Sequence, residues 1–404
     1  MHHHQLLIFF ALLIFSFGLF SRIAERNSVT GPMFFMTVGI LASPLVFNRF
    51  SATPELAAVT LVAELALMLV LFIDASLIDL KVLRDAPSKI PTRLLLIGLP
   101  LTMLLGTGVG VLMFDSISIW AILLMALILS PTDAALGQAV VKSEDVPNRI
   151  RQSISVESGL NDGIALPPIL FCLAILGADS DGHSGDWINY LIKQVTLGPV
   201  VGLAVGYVGG KLIEQMSGLG WMEETFQRLS VLPLAILAYA IAETVGGNGF
   251  ISAFSAGIGL RLGATTVQIR HRMQEFGETE GTQLILIVFL LFGLALVPAL
   301  FPYWGWQELG YAVASLTILR MIPVAISLIG AKLDWQSIAF IGWFGPRGIA
   351  SVLYLLMALA AIGFVGNEQF MSVIVLTVAI SVYAHGISAV SLSKRYGQNR
   401  PTDY

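Results

Sequence analysis

The sequence predicts an all-α polytopic membrane protein of about thirteen transmembrane helices in two inverted repeats, with crossed, unwound helices at mid-membrane. Three observations predict it. Of 404 residues, 56% are hydrophobic and only 12% charged, about half the charge of an ordinary soluble surface, and mean hydropathy is +0.83. The apolar residues gather into runs close to the ~20 residues that cross a bilayer as a helix. Two of these runs are broken by polar, proline-bearing segments at matching places seven spans apart, as inverted repeats require.

This composition excludes a soluble enzyme, a nucleic-acid binder and a disordered chain. A net charge of −4 without a long basic run leaves no surface for a polyanion. The single cysteine, Cys172, lies in an apolar run, so neither a disulfide framework nor a cysteine metal site is available.

Taken in order, spans are expected at 5–20, 31–47, 55–74, 93–114, 117–141, 150–176, 187–216, 226–245, 248–262, 283–301, 309–331, 336–363 and 370–393. Breakers such as Asp85-Ala86-Pro87 and Gly177-Ala178-Asp179 separate them. The first span lacks a basic leader before it, and Arg22 and Arg26 follow it. It therefore reads as a retained helix with its N-terminus outside rather than a cleaved signal.

Charge placement checks the count. With the N-terminus outside, alternate connections face the cytoplasm and hold all but four of the 22 lysines and arginines. The exceptions are Arg49 and Lys193 on the outer side, and Arg320 and Arg347 inside apolar spans. The outer stretch 179–186 is acidic. The connection 263–282 looks amphipathic and is expected at the interface. Residues 1–404 are expected to form a single transmembrane domain with no soluble domain, and the tail after Ser393 is expected in the cytoplasm.

Ionisable groups within a bilayer are costly and mark function. Those here are Glu64, Asp74, Asp133, Glu157, Asp162, Glu243, Arg320, Arg347 and His385. Several carboxylates around one cavity suit a cation or proton pathway. The richest stretch runs from Ser153 to Asp162. On a helix, Ser158 and Asp162 stand four apart on one face, with Glu157 and Asn161 on the adjacent stripe. That face offers a hard monovalent cation a carboxylate and a hydroxyl; the bland alternative is an interhelical polar seam.

Ser130-Pro131-Thr132-Asp133 interrupts the fifth span, and Gly342-Trp343-Phe344-Gly345-Pro346-Arg347-Gly348 the twelfth. Freed backbone at that depth must face protein or a wet cavity. Asp133 is expected to offset the positive N-terminus of the facing half-helix, and Arg347 the negative C-terminal ends. Arg320 needs a buried carboxylate. Glu157 is the expected partner, in a structural pair, because an arginine clamped on Asp162 would compete with a cation there. Asp74 ends the third span, either near the cavity or at the interface. Glu64 and Glu243 carry less signal. His385 reads as a packing histidine or a pH sensor, and His2, His3 and His4 as a tag remnant or adventitious metal binder.

Val156-Glu157-Ser158-Gly159-Leu160-Asn161-Asp162-Gly163 resembles the Glu-Ser-x-x-Asn-Asp helix of the monovalent cation:proton antiporter superfamily, in its NhaP/NHE branch. Ser130-Pro131-Thr132-Asp133 resembles that family's unwound Thr-Asp helix, and Gly345-Pro346-Arg347-Gly348 its Gly-x-Arg-Gly partner. Leu71-Phe72-Ile73-Asp74-Ala75 is similar to the segment where members often carry an acid. The resemblance extends over nearly the whole chain. It implies a core domain moving against a dimerisation domain, with cation ligation by Asp162, Ser158, Asp133 and a main-chain oxygen at Thr132. It further implies support from Asn161, a Glu157–Arg320 pair and a homodimer. Asn161-Asp162, rather than two adjacent aspartates, matches the branch regarded as electroneutral. The chain departs from the pattern where Pro131 precedes Thr132-Asp133 and where Asp74 replaces the commoner glutamate.

The expected function is secondary active exchange of Na⁺ (or Li⁺) for H⁺ by alternating access in a bacterial inner membrane. This makes the protein a transporter and not an enzyme. Asp162 would hold cation or proton in turn. No cofactor is expected, and with no P-loop in the sequence the energy source is an ion gradient. K⁺/H⁺ exchange on the same architecture is the near alternative. A cation channel and an intramembrane aspartyl protease are alternatives of a different class.

Overall fold

A computed structural model describes residues 2–47, 56–78, 90–133, 136–181 and 187–398, and the regular structure among them is helical. Its helices are α1 (His2–Arg26), α2 (Gly31–Ala42), α3 (Leu56–Leu77), α4 (Ile90–Met113), α5 (Ile119–Ile128), α6 (Gln138–Val141), α7 (Asn148–Asp181) and α8 (Trp187–Gly218). They continue as α9 (Glu224–Thr244), α10 (Gly249–Gly263), α11 (Val267–Tyr303), α12 (Trp306–Ser327), α13 (Trp335–Trp343), α14 (Ile349–Ile362) and α15 (Glu368–Gln398). With α5–α6 and α13–α14 counted as two interrupted spans, these segments follow the expected spans in order. Seven of the helices are long and apolar enough to cross a membrane by themselves. The protein is multi-pass.

Local chemistry sets several helix starts. The Thr30 hydroxyl accepts from Met33 N at 3.4 Å to open α2, and Ser118 accepts from Ala121 N at 3.2 Å to open α5. Asn248 Oδ1 accepts from Phe250 N and Ile251 N, each at 3.0 Å, at the start of α10. Each cap satisfies donors that the first helical turn leaves unpaired.

One group of helices comprises α2, α3, α8, α9, α10 and α11. Its tightest seam joins α8 to α10. A Cβ on Gly202 would collide with Ser252 O, and one on Gly206 with Ala256 O, so only glycine lets these backbones approach so closely. A second group comprises α4, α5, α7, α12, α13, α14 and α15. The groups meet where α3 touches α7 and α14.

The stretch expected as an interfacial connection at 263–282 differs. The turn is confined to residues 264–266, and α11 starts at Val267. Glu214 accepts from the hydroxyls of Thr265 and Thr266 at 2.7 and 2.8 Å, and Arg270 Nη1 donates to Ala264 O and Thr265 O at 2.7 Å. Ile269, Met273, Gly277 and Gly281 are buried at four-residue spacing, so one face of the segment packs inward and carries the helix without a break. Helix α3 likewise runs past Asp74 to Leu77. Arg49, Lys81, Arg84, Lys89, Arg400 and residues 182–186 of the acidic outer stretch lie outside the described residues, as do the side chains of Arg26 and of His2, His3 and His4.

Candidate functional site

The two interrupted spans cross in the second helix group. Helix α5 stops at Ile128 and α13 at Trp343, and the next helices, α6 and α14, begin at Gln138 and Ile349. The segments are stitched to one another: Asp133 N donates to Pro346 O at 2.9 Å. Each break leaves unpaired carbonyls on one side and unpaired N–H groups on the other.

Side chains from the opposite break meet those groups. Arg347 Nη1 donates to Ser130 O at 2.6 Å and to Pro131 O at 3.0 Å, at the negative end of α5. Asp133 Oδ2 accepts from Ile349 N at 2.6 Å, at the positive end of α14. Gly348 is the position where a Cβ would collide with Asp133 Oδ2, so glycine permits this contact.

Three side chains that the sequence analysis did not single out complete the crossing. Ser351 Oγ donates to Ile128 O at 2.8 Å, Ser381 Oγ accepts from Arg347 N at 2.7 Å, and Tyr354 OH donates to Asp162 O at 3.0 Å. His385, buried in α15, bonds Ser381 through Nδ1 and Trp343 O through Nε2, at 2.9 Å for the latter. Trp343 O can only accept, so Nε2 donates to it, while Nδ1 lies 3.1 Å from the Ser381 hydroxyl and 3.0 Å from the Ser381 carbonyl oxygen. His385 thus holds the end of α13 through Trp343 O. The four-residue spacing of Ser381 and His385 was the available signal.

Helix α7 brings the remaining residues to the crossing. Thr132 Oγ1 lies 3.0 Å from Ser158 Oγ, and Asn161 Nδ2 donates to Thr132 Oγ1 at 2.7 Å and to Thr132 O at 3.4 Å. Thr132, Ser158 and Asn161 thus form one cluster. Asp162 is 5% exposed, and its Oδ1, like Asn161 Oδ1, has no hydrogen-bond partner among the described residues. Asp162, Asp133 and Asp74 stand close enough for their carboxylates to repel one another.

The two buried arginines of these spans are engaged elsewhere. Arg320 Nη2 lies 2.6 Å from Glu157 Oε1, with both side chains almost fully buried. Arg347 is occupied by main-chain carbonyls. The site therefore offers a cluster of oxygen donors, the preference of a hard cation.

A cavity of about 210 Å³ reaches the site. Asp74, Asp133, Gly159, Gln138, Lys142 and Glu278 are among the residues that line it. A second cavity of about 290 Å³ shares Gln138, Lys142, Thr282 and Ile285. Together they open the seam between the helix groups at the end where α3 finishes and α7 begins. At the other end the seam narrows to about 30 Å³, lined by Glu64, Phe250, Leu353 and Met357. Asp74 thus faces the cavity. Glu64 and Glu243 sit apart from the crossing, and Glu243 Oε1 accepts from Gly249 N at 2.8 Å.

Comparisons with known proteins agree with this architecture. The transmembrane sodium/hydrogen exchanger family model matches residues 8–395. The K(+)/H(+) antiporter NhaP2 of Shewanella sp. strain MR-4 is 26% identical over 388 residues, which cover 93% of this chain and 64% of the relative. This chain thus spans less than two thirds of that relative's length. Na(+)/H(+) antiporter 2 of Zygosaccharomyces rouxii is 26% identical over 57% of the chain and 30% of its own length. Among solved structures, the sodium proton antiporter MjNhaP1 from Methanocaldococcus jannaschii at pH 8 superposes with a TM-score of 0.78 at 17% identity, covering 99% of both chains. That likeness concerns the fold.

Proposed function

Because this chain belongs to the sodium/hydrogen exchanger family, we propose that it exchanges a monovalent cation, Na⁺ or Li⁺, for H⁺ across a bacterial inner membrane. The observation that carries the reading is Asp162: a buried carboxylate whose Oδ1 has no hydrogen-bond partner among the described residues, beside the crossing. The cation ligands are Asp162, Asp133, Ser158, the main-chain oxygen of Thr132 and, from the cavity wall, Asp74. Asn161 holds Thr132 in place.

Proton and cation compete for Asp162, so each half-cycle carries one of them. Asn161 cannot titrate, and Arg320 stays paired with Glu157, which makes the exchange 1:1 and electroneutral. The helix group containing the crossing is the moving core, and the group built on α8 and α10 is the scaffold that dimerises. Lysines and arginines such as Lys142, Arg149, Arg261 and Arg270 mark the cavity end as cytoplasmic, with the N-terminus periplasmic and the tail cytoplasmic. Motion of the core against α3 then opens the narrow end and closes the wide one.

K⁺/H⁺ exchange is the second reading. The relative described above over 93% of this chain carries that name. The test is proton movement in vesicles loaded with the protein after addition of Na⁺, Li⁺ or K⁺. Na⁺- or Li⁺-driven flux without a K⁺ response supports the first reading, a K⁺ response alone the second, and none of the three refutes both.

A further inference from the structure

A groove of about 350 Å³ runs between α12, α13 and α15, apart from both access cavities. Met321, Trp335, Phe340, Trp343 and Leu392 form its apolar wall, and Arg395 is the charged residue in its lining. On the neighbouring α12, Ile318, Ile322 and Ile326 are exposed at the four-residue spacing of one helix face. An exposed apolar stripe on a spanning helix is suited to acyl chains, and the groove lies beside it. Trp335, 73% exposed, stands at its rim as a tryptophan does at the headgroup level.

The charge of the rim favours an anion. Asp334 is occupied as the N-cap of α13, accepting from Ser337 N at 3.4 Å and Ser337 Oγ at 2.6 Å. The same end carries Lys332 and Lys394. Arg93 and Arg149 donate to Ile329 O and Ala331 O at 2.5 and 3.4 Å, which holds two further guanidinium groups at the α12–α13 connection. From Trp335 to Trp343 the wall extends about 12 Å, a substantial part of one acyl chain.

We infer that this groove binds an anionic phospholipid, with its phosphate on Arg395 and one acyl chain along Phe340, Trp343 and Met321. Basic residues in pockets at the cytoplasmic surface recognise such headgroups. The occupant has a structural consequence: Trp343 and Phe344 end the half-helix before the crossing, and Trp343 O is the group that His385 holds. A bound chain supports that end from outside while His385 supports it from inside.

The test uses the purified, delipidated full chain in neutral detergent, with melting temperature as the readout, so it does not depend on the transport reading. Phosphatidylglycerol is expected to raise Tm by at least about 2 °C more than phosphatidylcholine does. Arg395→Gln, a surface change, is expected to abolish that difference while leaving the lipid-free Tm unchanged. Ala339→Trp, which fills the groove, is expected to remove the response to both lipids. Equal shifts by the two lipids in the unaltered protein would overturn the proposal, as would a difference that survives in Arg395→Gln. Reproduction of the shift by glycerol 3-phosphate alone would equally overturn it, because a soluble anion would then suffice.

Discussion

Replacing Glu157 by glutamine tests how the site keeps its arginines from its carboxylates. Arg320 and Glu157 approach to 2.6 Å with side chains 1% and 2% exposed. At an effective dielectric of about 20, two unit charges at that distance attract by about 6 kcal/mol, which offsets the several kcal/mol lost by each ion on leaving water. The intact pair is therefore nearly neutral in net stability. Removing one partner is not, and costs about 3–5 kcal/mol by leaving a buried charge uncompensated. The damage also reaches the crossing: a Cβ on Gly345 would stand 2.7 Å from Arg320 Nε and 3.0 Å from Thr132 Cγ2, so the guanidinium lies directly against the crossing segment. Glu157→Gln is expected to lower the melting temperature and the yield of monodisperse protein in detergent. Glu157→Gln with Arg320→Met is expected to recover stability, with a coupling energy of about 1.5–3 kcal/mol. A double variant no more stable than the sum of the single losses would refute the pairing argument.

Asp162→Asn preserves shape and removes the titratable charge. It is expected to abolish exchange with an unchanged elution profile, and near-normal flux from well-folded protein would remove Asp162 from the centre of the mechanism. Gly348→Ala pushes Asp133 off Ile349 N, so flux is expected to fall at least about tenfold with destabilisation of about 1–3 kcal/mol; unimpaired flux would show that this contact does not position Asp133. Competition between proton and cation predicts that the apparent cation KM rises as pH falls, approaching about tenfold per pH unit once protons occupy most sites. A KM independent of pH would separate the two binding sites. In liposomes under a K⁺-valinomycin potential the Na⁺/H⁺ reversal point is expected to stay fixed. One moved charge would bias the cycle by about 2.3 kcal/mol per 100 mV, so a voltage-dependent reversal point would mean that a second group, such as Asp74 or Asp133, carries charge.

The spans, their order and the two interruptions were legible in the sequence because the bilayer imposes them residue by residue. An apolar run of the right length must be helical, and a proline within it must leave backbone groups to satisfy. The roles of Asp133 and Arg347 at opposite half-helix ends followed from the same electrostatics, as did the need of Arg320 for a carboxylate. Tertiary structure decided which carboxylate meets that need, because Glu157 and Asp162 sit only five residues apart on one helix and differ only in what faces them. It also decided that Ser158 turns its hydroxyl to Thr132, that Asp74 looks into the cavity and not out at the interface, and that residues 267–282 continue a helix. Ser351 and Tyr354 were invisible in sequence for a related reason, and Ser381 showed only its four-residue spacing from His385. Small polar residues are common in membrane helices, and only the partner across the seam, a main-chain group at the crossing, distinguishes a positioning contact from packing. Local physics is written along the chain; the burial of one charge beside another depends on helices brought together from distant parts of it.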